Sequence, residues 1–379
     1  MVDRKVAEIF PPGDYIKEEL EARGWTQIEL AEILGRSARM VNEIICAKRG
    51  ITPDTAQGLG DAFGTGAQVW LNLESAYQLS RALEHDDSVA RRARLYLKAP
   101  IREMVKRGWI EPSENVHVLE KRVLDFFGLT TVDEEIHFAH AARKSKARKE
   151  RTPAQNAWLF RARRLSRAVS AGNAFSQERL QDAIGRLRAL LHSVEEIRNV
   201  PPILADAGIR FLIVEALPNT GIDGACFWLD ANSPVIVLSL RFDRIDAFWH
   251  TLMHESGHVK NKDGFYDATL DTHLVGRGVQ PSDAMPEFEK EADRFAVETL
   301  VPQDALQSFI IGVRPLYSKV RIRLFADRIH VHPGIVLGQL HQRQEIDWSS
   351  NREMLDKVRH IITKSVLTDG WGSLLPANL

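Results

Sequence analysis

The stretch WTQIELAEILGRSARMVNEIICAKRG, residues 25–50, reads as two short helices joined by a tight turn. Thr26 can cap a helix that runs to Leu34. Ala31 is small enough for a second helix to approach closely. Gly35 suits the left-handed conformation that ends the first helix. Ser37 can cap the second helix, and Val41, Ile44 and Ile45 recur at helical spacing on its buried side. Its other face carries Ala38, Arg39, Asn42 and Glu43. Arg39 can read guanine, Asn42 adenine, and Ala38 a thymine methyl. Lys48 and Arg49 lie just beyond, placed for phosphates. With Gln27 and Ser37 they complete the candidate DNA-contacting set. The alternative is an ordinary helical hairpin.

Outward from this pair, residues 12–80 keep the same character. Apolar positions recur at Ile16, Leu20, Leu30, Ile33 and Leu34, and Gly24, Gly35 and Gly50 punctuate them. Pro53 stands where a helix begins. Residues 81–198 read as a helical middle region, with an apolar set at Leu119, Val123, Leu124, Phe126 and Phe127. Within it, residues 143–151 form a basic run, read as a solvated surface with an auxiliary phosphate contact as the alternative. The character changes at Pro201-Pro202. Ile209–Glu215, Gly224–Leu229 and Val235–Leu240 read as strands of a small sheet, separated by turn residues. Helices resume near Asp243. The expected fold is mainly α: an all-α N-terminal domain (10–80), the middle region (81–198), an α+β domain with a small sheet (199–345) and a helical extension (346–379).

The first helix after Asp243 carries a second constellation, HESGH at residues 254–258. His254 and His258 are four apart, so both imidazoles share one helix face and can share a cation. Glu255 lies about a quarter-turn away, toward an open coordination position, as a general base and acid. Gly at 261 and His at 264 would extend the motif; Asn261 and Gly264 stand there instead, so a third ligand must come from elsewhere. A later helix offers Glu289, Glu291 and Asp293. Glu289 is favoured over Glu291, with Asp293 accepting from a ligand imidazole; that Glu-x-x-x-Asp spacing is similar to the gluzincin pattern. The expected metal is one zinc per chain. The bland reading of the later helix is solvent-facing charge.

Other histidines are weighed less heavily. His250 reads as surface or packing, with assistance to the transition state as the alternative; Tyr266 and His273 read as loop residues, with an oxyanion role as the alternative; His330, His332 and His341 read as turn and surface residues, with one of them lining the cleft as the alternative. Cys226 reads as buried in a strand and Cys46 as packing.

Composition bounds the rest. Net charge is -1, so DNA binding must rest on local charge asymmetry. Two cysteines exclude a disulfide framework and a cysteine-rich zinc site. The N-terminus lacks an apolar signal core and no apolar run is long enough to span a bilayer, so the expectation is a cytoplasmic protein with no membrane partner.

Two resemblances add to this reading. Residues 10–80 resemble the Xre-like helix-turn-helix family and, within it, HigA-type antitoxins, through residues 49–53, Ala62-Phe63-Gly64, Trp70-Leu71-Asn72-Leu73, Tyr77 and Leu79. This implies a homodimer on double-stranded, palindromic operator DNA. Residues 190–345 resemble the ImmA/IrrE family of zinc metallopeptidases, through residues 248–258 and 289–302. Residues 221–225 and 239–246 resemble the branch fused to HigA-like domains. That resemblance implies limited proteolysis of a repressor. The alternative is a non-enzymatic antitoxin-like repressor, with a toxin as partner and a metal domain that senses or scaffolds.

Overall fold

The computed structural model describes residues 9–81, 87–138, 151–276 and 285–369. The basic run at 143–150 lies outside the described residues. The chain divides into two compact units, Met1–Val89 and Ala90–Leu379.

The first unit is a helical cluster: α1 (Pro12–Arg23), α2 (Gln27–Leu34), α3 (Ala38–Ile45), α4 (Pro53–Phe63) and α5 (Ala67–Arg81). Local chemistry sets the boundaries. Thr26 and Glu29 form a reciprocal capping box on α2, and Ser37 accepts from the Met40 N–H on α3. Gly35 ends α2 at φ 61°, a left-handed conformation that costs glycine nothing. Ile16, Leu30, Val41, Ile45, Leu59 and Trp70 meet in the core.

The second unit begins with α6 (Ser88–Lys98), α7 (Ile101–Lys106), α8 (Val116–Phe127), α9 (Pro153–Ser166), α10 (Gln177–Ala189) and α11 (Val200–Asp206). Strands β1 (Arg210–Ile213), β2 (Ile222–Trp228) and β3 (Pro234–Leu238) follow, then α12 (Ile245–Asn261), β4 (Thr269–Thr272) and α13 (Glu287–Leu300). Helices α14 (Gln303–Val313), α15 (Lys319–Arg328), α16 (Pro333–Gln342) and α17 (Arg359–Ile362) precede β5 (Leu367–Thr368). The five strands form a mixed sheet in the order β4-β2-β3-β1-β5. The pairs β1–β3 and β1–β5 are parallel; β2 runs antiparallel to β3 and β4.

Both faces of this sheet are covered, which is why β2 and β3 are buried throughout and, Asp223 apart, carry no charged residue. Cys226, Trp228, Ile236 and Leu238 point to one core, shared with α12 and the C-terminal helices. Ala225, Phe227, Val235 and Val237 point to the other, shared with α8 and α9. Trp158 on α9 donates its indole N–H to the Val214 carbonyl at 2.9 Å. The middle helices are thus one wall of the sheet's core. Among the described residues no helix is long and apolar enough to cross a membrane.

Candidate functional site

Helix α12 is buried from Ile245 to Val259 except at His250, so the polar residues on its inner face are withdrawn from bulk water. His254, Glu255 and His258 all lie within that span. Helix α13 packs alongside through small residues. A Cβ on Gly257 would stand 3.2 Å from Ala292 Cα, so glycine lets the two backbones approach. That approach brings Glu289 Oε2 to 3.2 Å from His254 Nε2 and 3.3 Å from His258 Nε2. Glu291 points away, is exposed, and accepts from Asn261.

A further carboxylate enters from the sheet. Alternation along β4 turns Thr269 and Asp271 inward, with Leu270 on the opposite face. Asp271 Oδ2 lies 3.5 Å from His254 Nε2 and 3.6 Å from His258 Nε2. Its partner across β2 is Gly224, beside a register shift between Ile222 and Gly224. A Cβ there would lie 2.3 Å from Glu255 Oε1, so the glycine leaves room for that carboxylate.

The outer atoms of the imidazoles decide what the inner ones are. Nδ1 of His254 faces Asp293 Oδ1 at 3.0 Å, and Nδ1 of His258 faces Asp263 Oδ2 at 3.0 Å. Each carboxylate accepts an Nδ1–H, which leaves both Nε2 atoms as lone-pair acceptors. Those two Nε2 atoms are 3.0 Å apart. Four acceptors therefore converge: two imidazole nitrogens and two carboxylate oxygens, all within 4.8 Å of one another. Only a cation or added protons can neutralise such a set. The donor types suit zinc. Bonds of about 2.0–2.2 Å in a tetrahedron give edges of about 3.3–3.6 Å; five of the separations run from 3.0 to 3.6 Å, the two shortest slightly below that range.

The same geometry shifts the proton affinities. Burial acts to lower both histidines, but their carboxylates win: Asp271, Asp293 and Glu289 hold His254 well above its usual value. Asp263, Glu289 and Asp271 raise His258 to about 9. Burial pushes Asp271 up, yet His254 and His258 bring it below the ordinary carboxylate range. Glu255 goes the other way. Complete burial, then the charge of Asp271, holds its carboxyl well above its usual value. Among the described residues none donates a hydrogen bond to either Glu255 oxygen.

In the first unit, α3 presents Ala38, Arg39 and Asn42 to solvent. The Asn42 amide donates to Gln27 Oε1 at 3.1 Å, tying the start of α2 to the middle of α3. Glu43 is half-buried and accepts from Arg39 Nε at 2.9 Å and Arg49 Nε at 3.0 Å. Those hydrogen bonds, Arg39 first, lower its pKa. Lys48 is exposed, and Ser37 is spent on capping α3.

The family described as Helix-turn-helix matches residues 16–70. The chain is 42% identical over 79 residues to virulence-associated protein I of Dichelobacter nodosus, spanning 21% of this chain and 73% of that one. The chain belongs to the helix-turn-helix family. A second helix-turn-helix relative, the uncharacterized HTH-type transcriptional regulator YddM of Escherichia coli strain K12, is 32% identical over 91 residues, 24% of this chain and 96% of that protein. Among solved structures, the Pseudomonas aeruginosa antitoxin HigA with the higBA promoter is 39% identical, with 20% of this chain and 83% of that chain covered and a TM-score of 0.19. PA4674 of the same organism with its operator DNA is 39% identical, with the same coverage and a TM-score of 0.20.

In this helix-turn-helix protein several residues stand elsewhere than the sequence suggested. Cys46 is exposed at the end of α3 rather than packed, because the helix ends there and its side chain clears the core. His341 is not a surface residue; it is fully buried on α16, where it bonds the Ser350 carbonyl. His332 caps α16 through its side chain. His250 contacts Asp293 at 3.5 Å, so it shares the carboxylate that orients His254. Tyr266 is exposed. The segment read as a loop after the motif contains β4, and with it Asp271. Asp263, the partner of His258, also escapes the sequence reading; its spacing of five from His258, just past the helix end, is its one signal there.

Proposed function

We propose that the chain is a DNA-binding transcriptional regulator whose second unit is a zinc-dependent endopeptidase acting on a repressor-type protein, in cis or in trans. The DNA-binding half draws on the helix-turn-helix match and on the exposed Arg39 and Asn42 of α3. The hydrolytic half is carried by one observation: a buried, unpartnered Glu255 carboxylate beside converging His254, His258 and Glu289 acceptors.

His254, His258 and Glu289 would hold the zinc. When bound, zinc supplies Lewis acidity toward a peptide carbonyl and toward water. Glu255 is the proton carrier. Its burial makes it a stronger base than an exposed carboxylate, suited to take a proton from the attacking water and return it to the leaving amine. Asp293 and Asp263 fix the imidazole tautomers. Homodimerisation on a palindromic operator follows from the helix-turn-helix reading.

A second reading is favoured by Asp271. A fourth protein donor is typical of structural zinc sites, which suits a non-enzymatic antitoxin-like repressor with a scaffolding metal and a toxin partner. Elemental analysis of wild type and His254→Ala, purified without added metal, tests both. The expected result is about one zinc per chain in wild type, lost in the variant. Glu255→Gln separates the readings: zinc retained with cleavage reduced about 10²- to 10⁴-fold supports the peptidase. Zinc retained with regulation unchanged supports the scaffold. No metal in either protein overturns both.

A further inference from the structure

The donor set contains one carboxylate more than a hydrolytic zinc site uses. Such sites keep three protein ligands and leave the fourth position for water or substrate. Here Asp271 Oδ2 stands almost as close to the two Nε2 atoms as Glu289 Oε2 does. That oxygen is buried and faces the two imidazoles and the Glu255 carboxyl.

We infer that Asp271 is an inhibitory fourth ligand: it closes the metal site at rest, and hydrolysis requires its withdrawal. The inference rests on the metal reading above and adds its regulation.

Three observations favour a removable ligand over a permanent one. The first is Glu255. A scaffold has no use for a buried carboxylate with no donor, and burying one is costly. A water in the position of Asp271 would supply that missing partner. The second is the origin of the ligands. His254, His258 and Glu289 come from two long helices packed together, whereas Asp271 comes from a four-residue edge strand paired on one side only, to β2. Edge strands paired on one side open at lower cost than packed helices.

The third is how β4 is held. Before the strand, Arg151 grips Asp267 through two bonds of 3.0 Å and donates to the Ala268 carbonyl. After it, the Leu274 N–H donates to Asp223 Oδ2 at 2.7 Å, and Asp223 is clamped by Arg241. Neither clamp touches the other three ligands. Whatever competes for Arg151 or Arg241, an anionic segment of a partner for example, would loosen Asp271 and leave the helical ligands in place.

The test uses the full chain with cobalt(II) in place of zinc, its visible spectrum as readout and azide as the probe. Wild type should take up one cobalt with a spectrum that azide does not change. Asp271→Ala should bind cobalt more weakly and show an azide-dependent spectral shift. Arg151→Ala, which leaves all four ligands in place, should show a smaller shift of the same kind. Asp271→Asn serves as the near-isosteric control. If both Asp271 variants stay folded by circular dichroism yet lose cobalt, the metal cannot be held without Asp271, and a withdrawable ligand is overturned in favour of a permanent structural one. If azide shifts the wild-type spectrum as much as that of Asp271→Ala, the inference is overturned and the three-ligand peptidase stands. If wild type takes up no cobalt, the metal reading itself fails.

Discussion

Removing metal from the second unit should reverse how its stability depends on pH. Without a cation, the converging acceptors are neutralised by protons on the histidines. His258 is raised from its ordinary 6.5 to about 9, and His254 moves in the same direction. A folded state that binds more protons than the unfolded one loses stability as pH rises. The contribution is complete below pH 6.5 and gone above about 9. For His258 that interval, at about 1.4 kcal/mol per pH unit, amounts to about 3 kcal/mol, a large share of the roughly 5–15 kcal/mol that holds a domain together. The zinc-loaded chain should behave oppositely. Zinc needs both imidazoles unprotonated, so stability rises with pH up to about 7 and then levels off. Urea unfolding of metal-free and zinc-loaded protein from pH 6 to 10 measures this, with His258→Ala as the control whose metal-free slope should shrink. A metal-free chain with a flat profile across that window, or one whose slope matches the loaded form, would refute the acceptor-cluster argument.

Further outcomes are expected from three single changes. Asn42→Ala should cost about 1–3 kcal/mol of operator affinity and relax selectivity at one base pair, whereas Lys48→Ala should weaken binding to all sequences and lower the salt slope by about 1; binding titrations at several salt concentrations separate the two. Gly224→Ala puts a methyl group 2.3 Å from Glu255 Oε1 and 2.8 Å from Thr251 Cγ2. It should destabilise the second unit by about 1–3 kcal/mol in thermal melts and move the Glu255 carboxylate while leaving zinc content unchanged.

What the sequence made legible is what is local. Thr26, Gly35 and Ser37 act within four residues of themselves, so the order of residues alone marks the caps of α2 and α3. His254 and His258 lie one turn apart on a single helix, and Glu289 and Asp293 repeat that spacing on another. The choice between Glu289 and Glu291 depended on which face of α13 meets α12, and a wheel of apolar residues could rank the two. Asp271 had no such signal. It sits on a strand of four residues, too short for alternation to stand out, and β5 has two. Its direction depends on pairing with β2 across a register shift. The role of the middle helices was hidden for a similar reason: the apolar faces of α8 and α9 announce that something covers them, but not that it is the sheet.

The division of ligands between rigid and removable elements follows from packing rather than from the motif. Ala292 lies against Gly257 and, with Ala296, is fully buried in α13. Glu289 and Asp293 flank Ala292 three residues before and one after, so the contact that fixes the helix pair also fixes both carboxylates on His254: one at Nε2, one at Nδ1. Moving either would mean separating two buried helices. Asp271 has no helix-pair anchor of this kind; beyond its pairing with β2, its strand is held by ion pairs at half-buried Asp267 and buried Asp223, and an ion pair can be exchanged for one with a partner's charges. On the proposal above, a site assembled this way could keep a bound zinc while exchanging its fourth donor. A latent enzyme needs that combination, and a purely structural site does not.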